Sequence, residues 1–147
     1  MKELLSLSAA RLAEMIRNRE ISSLEVVEEH IDRAKEVNPI INAIVKDRFS
    51  EARAEAEKAD KQLKKNDNEL PPLFGVPCTI KECFALKGMP NASGLLARKD
   101  VVSQSDAPTV ARYRAAGAIP LGVTNTSELC MWMETNNRVY GLSLIHI

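Results

Sequence analysis

The chain has 147 residues, of which 45% are hydrophobic and 27% are charged, an ordinary composition for a globular protein with a real core. Its 20 basic and 20 acidic residues balance and form no long block of one sign, so nucleic acid is not expected as a partner. The sequence contains no apolar run of about 18 residues, which excludes a predicted transmembrane helix.

The cysteines and histidines do not form the pattern of a metal site. Cys78, Cys83 and Cys130 follow no metal-ligand spacing, and His30 and His146 are the only histidines. We therefore expect reduced, buried thiols, no metal and no cofactor. The start of the chain is too short and too acidic for a secretion signal, which makes the cytoplasm the default location.

Hydrophobic periodicity predicts helices at the start of the chain. Residues 8–18 place their apolar side chains on one helical stripe. Ser22 and Glu25 then have the spacing of a capping box, in which each side chain satisfies a backbone N–H near the other residue. The helix that they open is expected to run to about Asn38 and to stop at Pro39.

The next segments lead from helices to strands. Residues 40–45 are apolar and compatible with either type of element. Residues 47–65 are rich in Ala, Glu and Lys, which favours a helix, and 66–72 read as a polar loop that ends in two prolines.

The second half has the pattern of a strand–helix–strand unit. Residues 74–80 predict a buried strand that ends at Lys81, and a helix is expected from about 106 to 116. A second buried strand is predicted over 118–123, and Asn125 is a candidate cap for a further helix. Strands joined by a helical crossover pair in parallel, so a parallel arrangement is expected here.

Lys81 is the first candidate for chemistry. In parallel sheets, functional groups gather at the carboxyl ends of strands, where both Lys81 and residues 124–128 are expected. The simple alternative is a lysine that ends a strand by entering solvent. Its neighbours Ile80, Cys83 and Phe84 are apolar and would desolvate the ammonium, and a lysine that loses its proton can act as a general base.

Several segments resemble the amidase-signature family. Phe74-Gly75-Val76-Pro77-Cys78-Thr79-Ile80-Lys81-Glu82 is similar to its G-V-P-x-x-[VI]-K-[DE] segment. Residues 126–132 most closely resemble the second group of animal fatty-acid amide hydrolases. The resemblance extends from about residue 5 to Gly141 and also includes residues 36–45, 87–95 and 115–125.

This resemblance implies an α/β fold with a mixed, largely parallel sheet wrapped by helices, of which this chain would supply the N-terminal helices and the first part of the sheet. It implies a hydrolase of carboxamides, in particular fatty-acid amides, that uses a lysine, a serine in a cis peptide and a serine nucleophile. Lys81 would be the base that also protonates the leaving amine. Cys130, Met131 and Trp132 correspond to a stretch that lines the acyl pocket, and their alternative is an apolar helix face packed into a core.

The chain also departs from the family pattern. It contains no Gly/Ser-rich stretch with the two serines, and Ser143 lacks the flanking glycines of an oxyanion loop. We therefore expect residues 1–141 to be the N-terminal portion of an amidase domain, 142–147 to be a non-native tail, and the chain alone to be inactive.

A non-catalytic function remains the alternative. The chain could be a shortened isoform that binds a partner or forms a homodimer through its amphipathic N-terminal helices. Relatives of greater length could carry a membrane anchor, which is not expected in this chain.

Overall fold

The computed structural model describes residues 4–65 and 70–144. Part of the predicted 66–72 loop, His146 and the end of the predicted tail lie outside these ranges. Each of two compact units is formed by three stretches of the chain. The first unit comprises Met1–Arg33, Arg48–Cys78 and Arg112–Leu121; the second comprises Ala34–Asp47, Thr79–Ala111 and Gly122–Ile147.

Helices and strands follow one another nearly as the sequence predicts. The α-helices in the described ranges are α1 (Ala9–Arg17), α2 (Ser23–Ile41), α3 (Phe49–Lys64) and α4 (Pro108–Ala115). The strands in the same ranges are β1 (Ile44–Asp47), β2 (Pro77–Lys81) and β3 (Ile119–Thr124). The stretch of undecided type, 40–45, divides between the end of α2 and the start of β1.

Three strands form one sheet in the order β1-β3-β2. β1 pairs antiparallel with β3, with Ile44 opposite Thr124 and Asp47 opposite Gly122. Gly122 is required at this point because a Cβ there would collide with the carbonyl oxygen of Lys46 and lie 2.9 Å from the Asp47 Cα. The absence of a side chain therefore allows the two backbones to approach.

β2 runs parallel to β3. The two strands start together, where the Ile119 N–H donates to the Val76 carbonyl (2.8 Å), and end together, where the Glu82 N–H donates to the Thr124 carbonyl (2.9 Å). The sheet is therefore mixed, and the predicted α/β class with a mixed sheet is confirmed.

The prediction of two buried strands is only partly right. β3 is buried over most of its length because it has a strand on each side. β2 is at the edge of the three strands and buries only Ile80. It also starts later than predicted, because Phe74 and Gly75 form a turn in which Gly75 has a φ of 76°.

The first unit contains two apolar clusters. The stripe predicted on α1 is buried through Leu12 and Ile16, which pack in one cluster with Val26 of α2 and Ala59 of α3. A second cluster is formed by α2 and α3 with the start of β3, and its buried members are Val27, Ile31, Ala52, Ala56, Ile119 and Leu121. Burial of these apolar side chains stabilises the helices, because most helical stability in proteins comes from packing of an apolar face.

The predicted capping box at the start of α2 is confirmed. The Glu25 N–H donates to the Ser22 hydroxyl oxygen (3.1 Å), and the Glu25 carboxylate accepts from the Ser22 N–H (2.9 Å) and from its hydroxyl (2.6 Å). These hydrogen bonds from Ser22 lower the pKa of Glu25. A backbone N–H at a helix start that would otherwise lack a partner is thereby satisfied.

We expect Ser22→Ala to lower the free energy of unfolding by about 1 kcal/mol, the usual cost of losing an N-cap. Because the folded-state pKa of Glu25 is depressed, its contribution is present above the unfolded-state pKa and is lost as the pH falls through the folded-state pKa. Urea titrations at neutral and acidic pH measure both effects. A difference between Ser22→Ala and the parent chain that does not shrink in acid would contradict this account.

Two other predictions about helix ends are wrong. Pro39 does not stop α2, which continues to Ile41 and ends at Asn42 with a φ of 47°. A proline in the last turn removes only one hydrogen bond, and the Asn42 N–H still donates to the Asn38 carbonyl (2.8 Å).

Asn125 does not cap an α-helix. The residues after it form one short 3-10 turn, Glu128–Cys130, in which Leu129 and Cys130 have φ values of 53° and 59°. Such left-handed backbone cannot continue a right-handed helix.

Candidate active site

Lys81 is the last residue of β2 and is half-buried in the second unit. Its Nζ donates to the Asn125 carbonyl oxygen at 3.4 Å. The predicted meeting of Lys81 with residues 124–128 is therefore confirmed, because β2 and β3 end side by side. Its apolar surroundings are less complete than predicted: Ile80 is buried, but Phe84 is 47% exposed.

The next residue, Glu82, is completely buried and organises the surrounding loops. Its carboxylate accepts hydrogen bonds from the backbone N–H groups of Ala92 and Ser93, the latter at 2.8 Å, and from the Tyr140 hydroxyl at 2.7 Å. Its backbone carbonyl accepts from the Asn91 side chain (2.8 Å). Glu82 thus connects the end of β2 to residues 91–93 and to Tyr140.

The contact with Glu82 also changes the acidity of the Tyr140 hydroxyl. Burial, followed by the hydrogen bond and the negative charge of Glu82, raises the pKa of Tyr140. The phenol therefore remains a neutral donor to the Glu82 carboxylate under ordinary conditions.

The carbonyl that Lys81 contacts belongs to a buried asparagine network. The Asn125 side-chain oxygen accepts from the Thr126 N–H (2.9 Å) and from the Asn137 amide (2.8 Å). Its amide nitrogen donates to the carbonyls of Asn42 (3.3 Å) and Gly141 (3.2 Å). With both ends of its amide engaged, Asn125 is held in one orientation, and so is the segment whose carbonyl faces Lys81.

The same network extends to Tyr140, whose hydroxyl donates a hydrogen bond to Glu82. The Asn137 side-chain oxygen accepts from the backbone N–H groups of Val139 (2.9 Å) and Tyr140 (2.7 Å). The Asn42 side chain donates to the Tyr140 carbonyl (2.8 Å). These contacts fix the backbone around Tyr140 and thereby position its hydroxyl.

The predicted substrate-binding residues lie in the segment after Asn125. Cys130, Met131 and Trp132 are exposed, with Met131 at 77% and Trp132 at 72%. The alternative of an apolar helix face packed into a core is wrong, since these residues form no α-helix and are exposed. The Cys130 sulfur lies 3.2 Å from the Thr126 hydroxyl.

The cysteines are free thiols, as expected, but they are less buried than predicted: Cys78 and Cys83 are half-buried and Cys130 is exposed. Burial raises the pKa of Cys78 to about 11.

The first unit, to which Cys78 belongs, also contains a cavity of about 350 Å³, lined by residues that include Glu55, Phe74 and Arg114. None of the predicted site residues lines that cavity.

Glu82, Asn137 and Tyr140 were not singled out from the sequence as members of a site, whereas Asn125 lies in the segment 124–128 that was expected beside Lys81. The available signal was polar residues just after two predicted parallel strands, here Glu82 and Asn125. Nothing local marked Asn137 or Tyr140, because their roles depend on contacts with residues far away in the chain.

Within 4–65 and 70–144, no group of His, Cys, Asp or Glu side chains has an arrangement that could hold a metal ion. In the same part of the chain, no helix is both long and apolar enough to cross a membrane.

Comparison with known proteins identifies the family. A family model described as Amidase matches residues 25–143. Fatty-acid amide hydrolase 2-A of Danio rerio is 56% identical over 146 residues, which cover 95% of this chain and 27% of that protein. Fatty-acid amide hydrolase 2 of Homo sapiens is 51% identical with the same coverage. The chain thus spans about a quarter of the length of the relatives it matches.

A solved structure gives the same result for the fold. A fatty acid amide hydrolase superposes with a TM-score of 0.90 at 26% identity, over 96% of this chain and 25% of that one. The family match covers most of the residues and includes Lys81 and its neighbours. The chain therefore belongs to the amidase family.

Proposed function

We propose that this chain supplies the lysine-bearing part of an amidase that hydrolyses fatty-acid amides, with Lys81 as its general base. The single observation that carries the proposal is the position of Lys81, at the carboxyl end of β2 with its Nζ 3.4 Å from the Asn125 carbonyl. This position coincides with the lysine of the family motif, and the relatives of highest similarity reported above are named fatty-acid amide hydrolases.

In the proposed mechanism, neutral Lys81 accepts a proton through a serine in a cis peptide, so that a second serine can attack the amide carbonyl. Protonated Lys81 then returns the proton to the leaving amine. The family places both serines in a Gly/Ser-rich segment to which nothing in this chain corresponds. We therefore propose that the chain alone does not hydrolyse amides, because a base without a nucleophile has nothing to activate.

The exposed segment with Cys130, Met131 and Trp132 is proposed to contact the acyl chain of the substrate. Its support is chemical: two large apolar side chains are exposed close in sequence to the residue whose carbonyl Lys81 contacts. A long acyl chain would remove them from water and bind through its apolar surface.

A chimaera tests the proposal directly. Residues 5–141 of this chain replace the matching segment of the Danio rerio fatty-acid amide hydrolase 2-A, and the release of fatty acid is measured with a long-chain primary amide and with an N-acylethanolamine. We expect the chimaera to be active and the isolated chain to show no turnover. A folded chimaera without activity would contradict the function, and turnover by the isolated chain that is lost in Lys81→Ala would contradict its proposed inactivity.

The other expectations from the sequence remain predictions. These are the domain boundary at Gly141 with a non-native tail, location in the cytoplasm, homodimer formation, membrane association of longer relatives and the alternative of a non-catalytic binding module. Part of the predicted tail is ordered in the second unit, where the Ser143 N–H donates to the Thr135 carbonyl (2.8 Å) and the Leu144 N–H to the Ile41 carbonyl (2.8 Å).

A further inference from the structure

The peptide group that faces Lys81 is held in place by the side chain of Asn125. We propose that Asn125 is a positioning residue for the base: its side chain fixes the peptide whose carbonyl accepts from the Lys81 Nζ (3.4 Å), and this carbonyl directs the lone pair of the amine. The inference rests on the proposed function, because it concerns how Lys81 is oriented to accept a proton. It goes beyond that function by assigning a task to a residue other than the base.

The Asn125 carbonyl and the Thr126 N–H belong to one planar peptide group, so fixing one end of the group fixes the other. The Thr126 N–H donates to the side-chain oxygen of Asn125 (2.9 Å). A rotation of this peptide plane would break that hydrogen bond and would also turn the carbonyl away from Lys81. The direction of the carbonyl is therefore set by the Asn125 side chain.

Asn125 is itself held at every polar atom. Its amide nitrogen donates to the carbonyls of Asn42 (3.3 Å) and Gly141 (3.2 Å), and its side-chain oxygen also accepts from the Asn137 amide (2.8 Å). Its backbone N–H donates to the Ala43 carbonyl (2.7 Å). The residue is 4% exposed, so water cannot readily replace these partners and the side chain keeps one orientation.

Asn137 secures the far end of the same segment. Its amide donates to the Asn125 side-chain oxygen (2.8 Å) and to the Thr126 carbonyl (2.7 Å). Glycine at position 94 leaves room for it, since a Cβ there would lie 2.9 Å from the Asn137 Cβ. The two peptide groups on either side of Thr126 are thus both held by asparagine side chains.

The contact with Asn125 determines where Lys81 can take up a proton. A neutral amine has two N–H bonds and one lone pair, and a carbonyl oxygen can only accept, so an N–H points toward Asn125 and the lone pair points elsewhere. When the serine O–H bond breaks, a third N–H forms at the lone pair, and that proton later passes to the leaving amine. The Asn125 contact persists throughout. Its length of 3.4 Å is typical of catalytic contacts that tighten when substrate binds.

Steady-state kinetics of the chimaera test the proposal, with release of fatty acid from a long-chain primary amide as the signal. Asn125→Ala should lower kcat about 100-fold, the usual cost of a misplaced reacting group, and should leave KM within about twofold. Asn136→Ala is the matched control, because Asn136 is an exposed asparagine in the same unit, and it should retain the parent kinetics. A folded Asn125→Ala variant with the parent kcat, or with a change in KM alone, would overturn the proposal.

A double-mutant cycle separates positioning from a general structural role. If Asn125 acts through Lys81, the double variant Lys81→Ala/Asn125→Ala should be no slower than Lys81→Ala, because orienting an absent base has no effect. Multiplication of the two losses would overturn the inference. Parent activity in Lys81→Ala would instead contradict the proposed function, whereas a loss in Lys81→Ala with normal Asn125→Ala contradicts the inference alone.

A second variant covers the case in which Asn125→Ala does not fold, which thermal unfolding reveals. Asn137→Ala removes one donor to the Asn125 side chain and the donor to the Thr126 carbonyl, and it is taken through the same cycle with Lys81→Ala. Its kcat should fall about tenfold only when Lys81 is present. The parent kcat in this variant, or failure of both variants to fold, would show a purely structural pair and overturn the proposal.

Discussion

In the chimaera with the Danio rerio fatty-acid amide hydrolase 2-A, Lys81→Ala should lower kcat/KM for amide hydrolysis by about 100- to 10,000-fold, the usual contribution of a general base. The alanine removes the proton acceptor and its hydrogen bond to the Asn125 carbonyl, but no buried core side chain. The expected loss is therefore one of activity and not of folding. Steady-state kinetics and thermal unfolding of the same preparation measure the two quantities separately.

Two further substitutions sharpen the interpretation. Lys81→Arg keeps the positive charge but cannot provide a neutral base near pH 7, so it should be as inactive as Lys81→Ala. Lys87→Ala is a matched control, because Lys87 is an exposed lysine six positions further along, and it should retain normal kinetics. If Lys81→Arg retained substantial activity, Lys81 would act as a cation rather than as a base.

Glu82→Ala should lower the free energy of unfolding of the chain by about 3 kcal/mol, because buried donors that lose their partner each cost about 1–3 kcal/mol. The substitution leaves the N–H groups of Ala92 and Ser93 and the Tyr140 hydroxyl without their acceptor. Glu82→Gln keeps one acceptor oxygen and should cost less. Urea unfolding of the variants and the parent chain provides the measurement.

Glu134→Ala is the matched control for this series, since Glu134 is an exposed glutamate in the same unit. Its effect should remain within about 0.5 kcal/mol, as is usual for surface substitutions. Equal destabilisation by Glu82→Ala and Glu134→Ala would show that the buried carboxylate does not organise the loops around it.

The Tyr140 hydroxyl reports on the same contact. Glu82 contributes to the raised pKa of Tyr140, so Glu82→Ala should lower that pKa, which ultraviolet titration of the tyrosines can follow. Because the folded-state pKa lies above the unfolded value of about 10, the stabilising contribution of this contact is fully present below that pH. It should fall as the pH rises toward the folded-state pKa, and it should be absent in Tyr140→Phe.

The sequence by itself determined the helices with a strong apolar stripe, the capping box at Ser22 and the position of Lys81 at the end of a strand. These features depend on residues close together in the chain, where periodicity and side-chain spacing directly reflect backbone geometry. The family resemblance rested on the same short segments, and for this reason the membership it implied was confirmed.

Tertiary structure decided the features that depend on distant partners. Rules for proline and for helix caps placed a helix end at Pro39 and a helix start at Asn125. Instead, the Asn38 side chain bonds both the N–H (2.7 Å) and the carbonyl (2.8 Å) of Ile44, which joins the end of α2 to β1. Asn125 became the centre of a buried network that includes Asn137.

The contacts around Lys81 also could not be predicted from the local sequence. Its place at the strand end followed from the sequence, but its contact with the Asn125 carbonyl required β2 and β3 to end side by side. The burial of Glu82 likewise required Ala92, Ser93 and Tyr140 to converge on one carboxylate. A local pattern contains no information on such convergence, because those partners are brought together only when the chain folds.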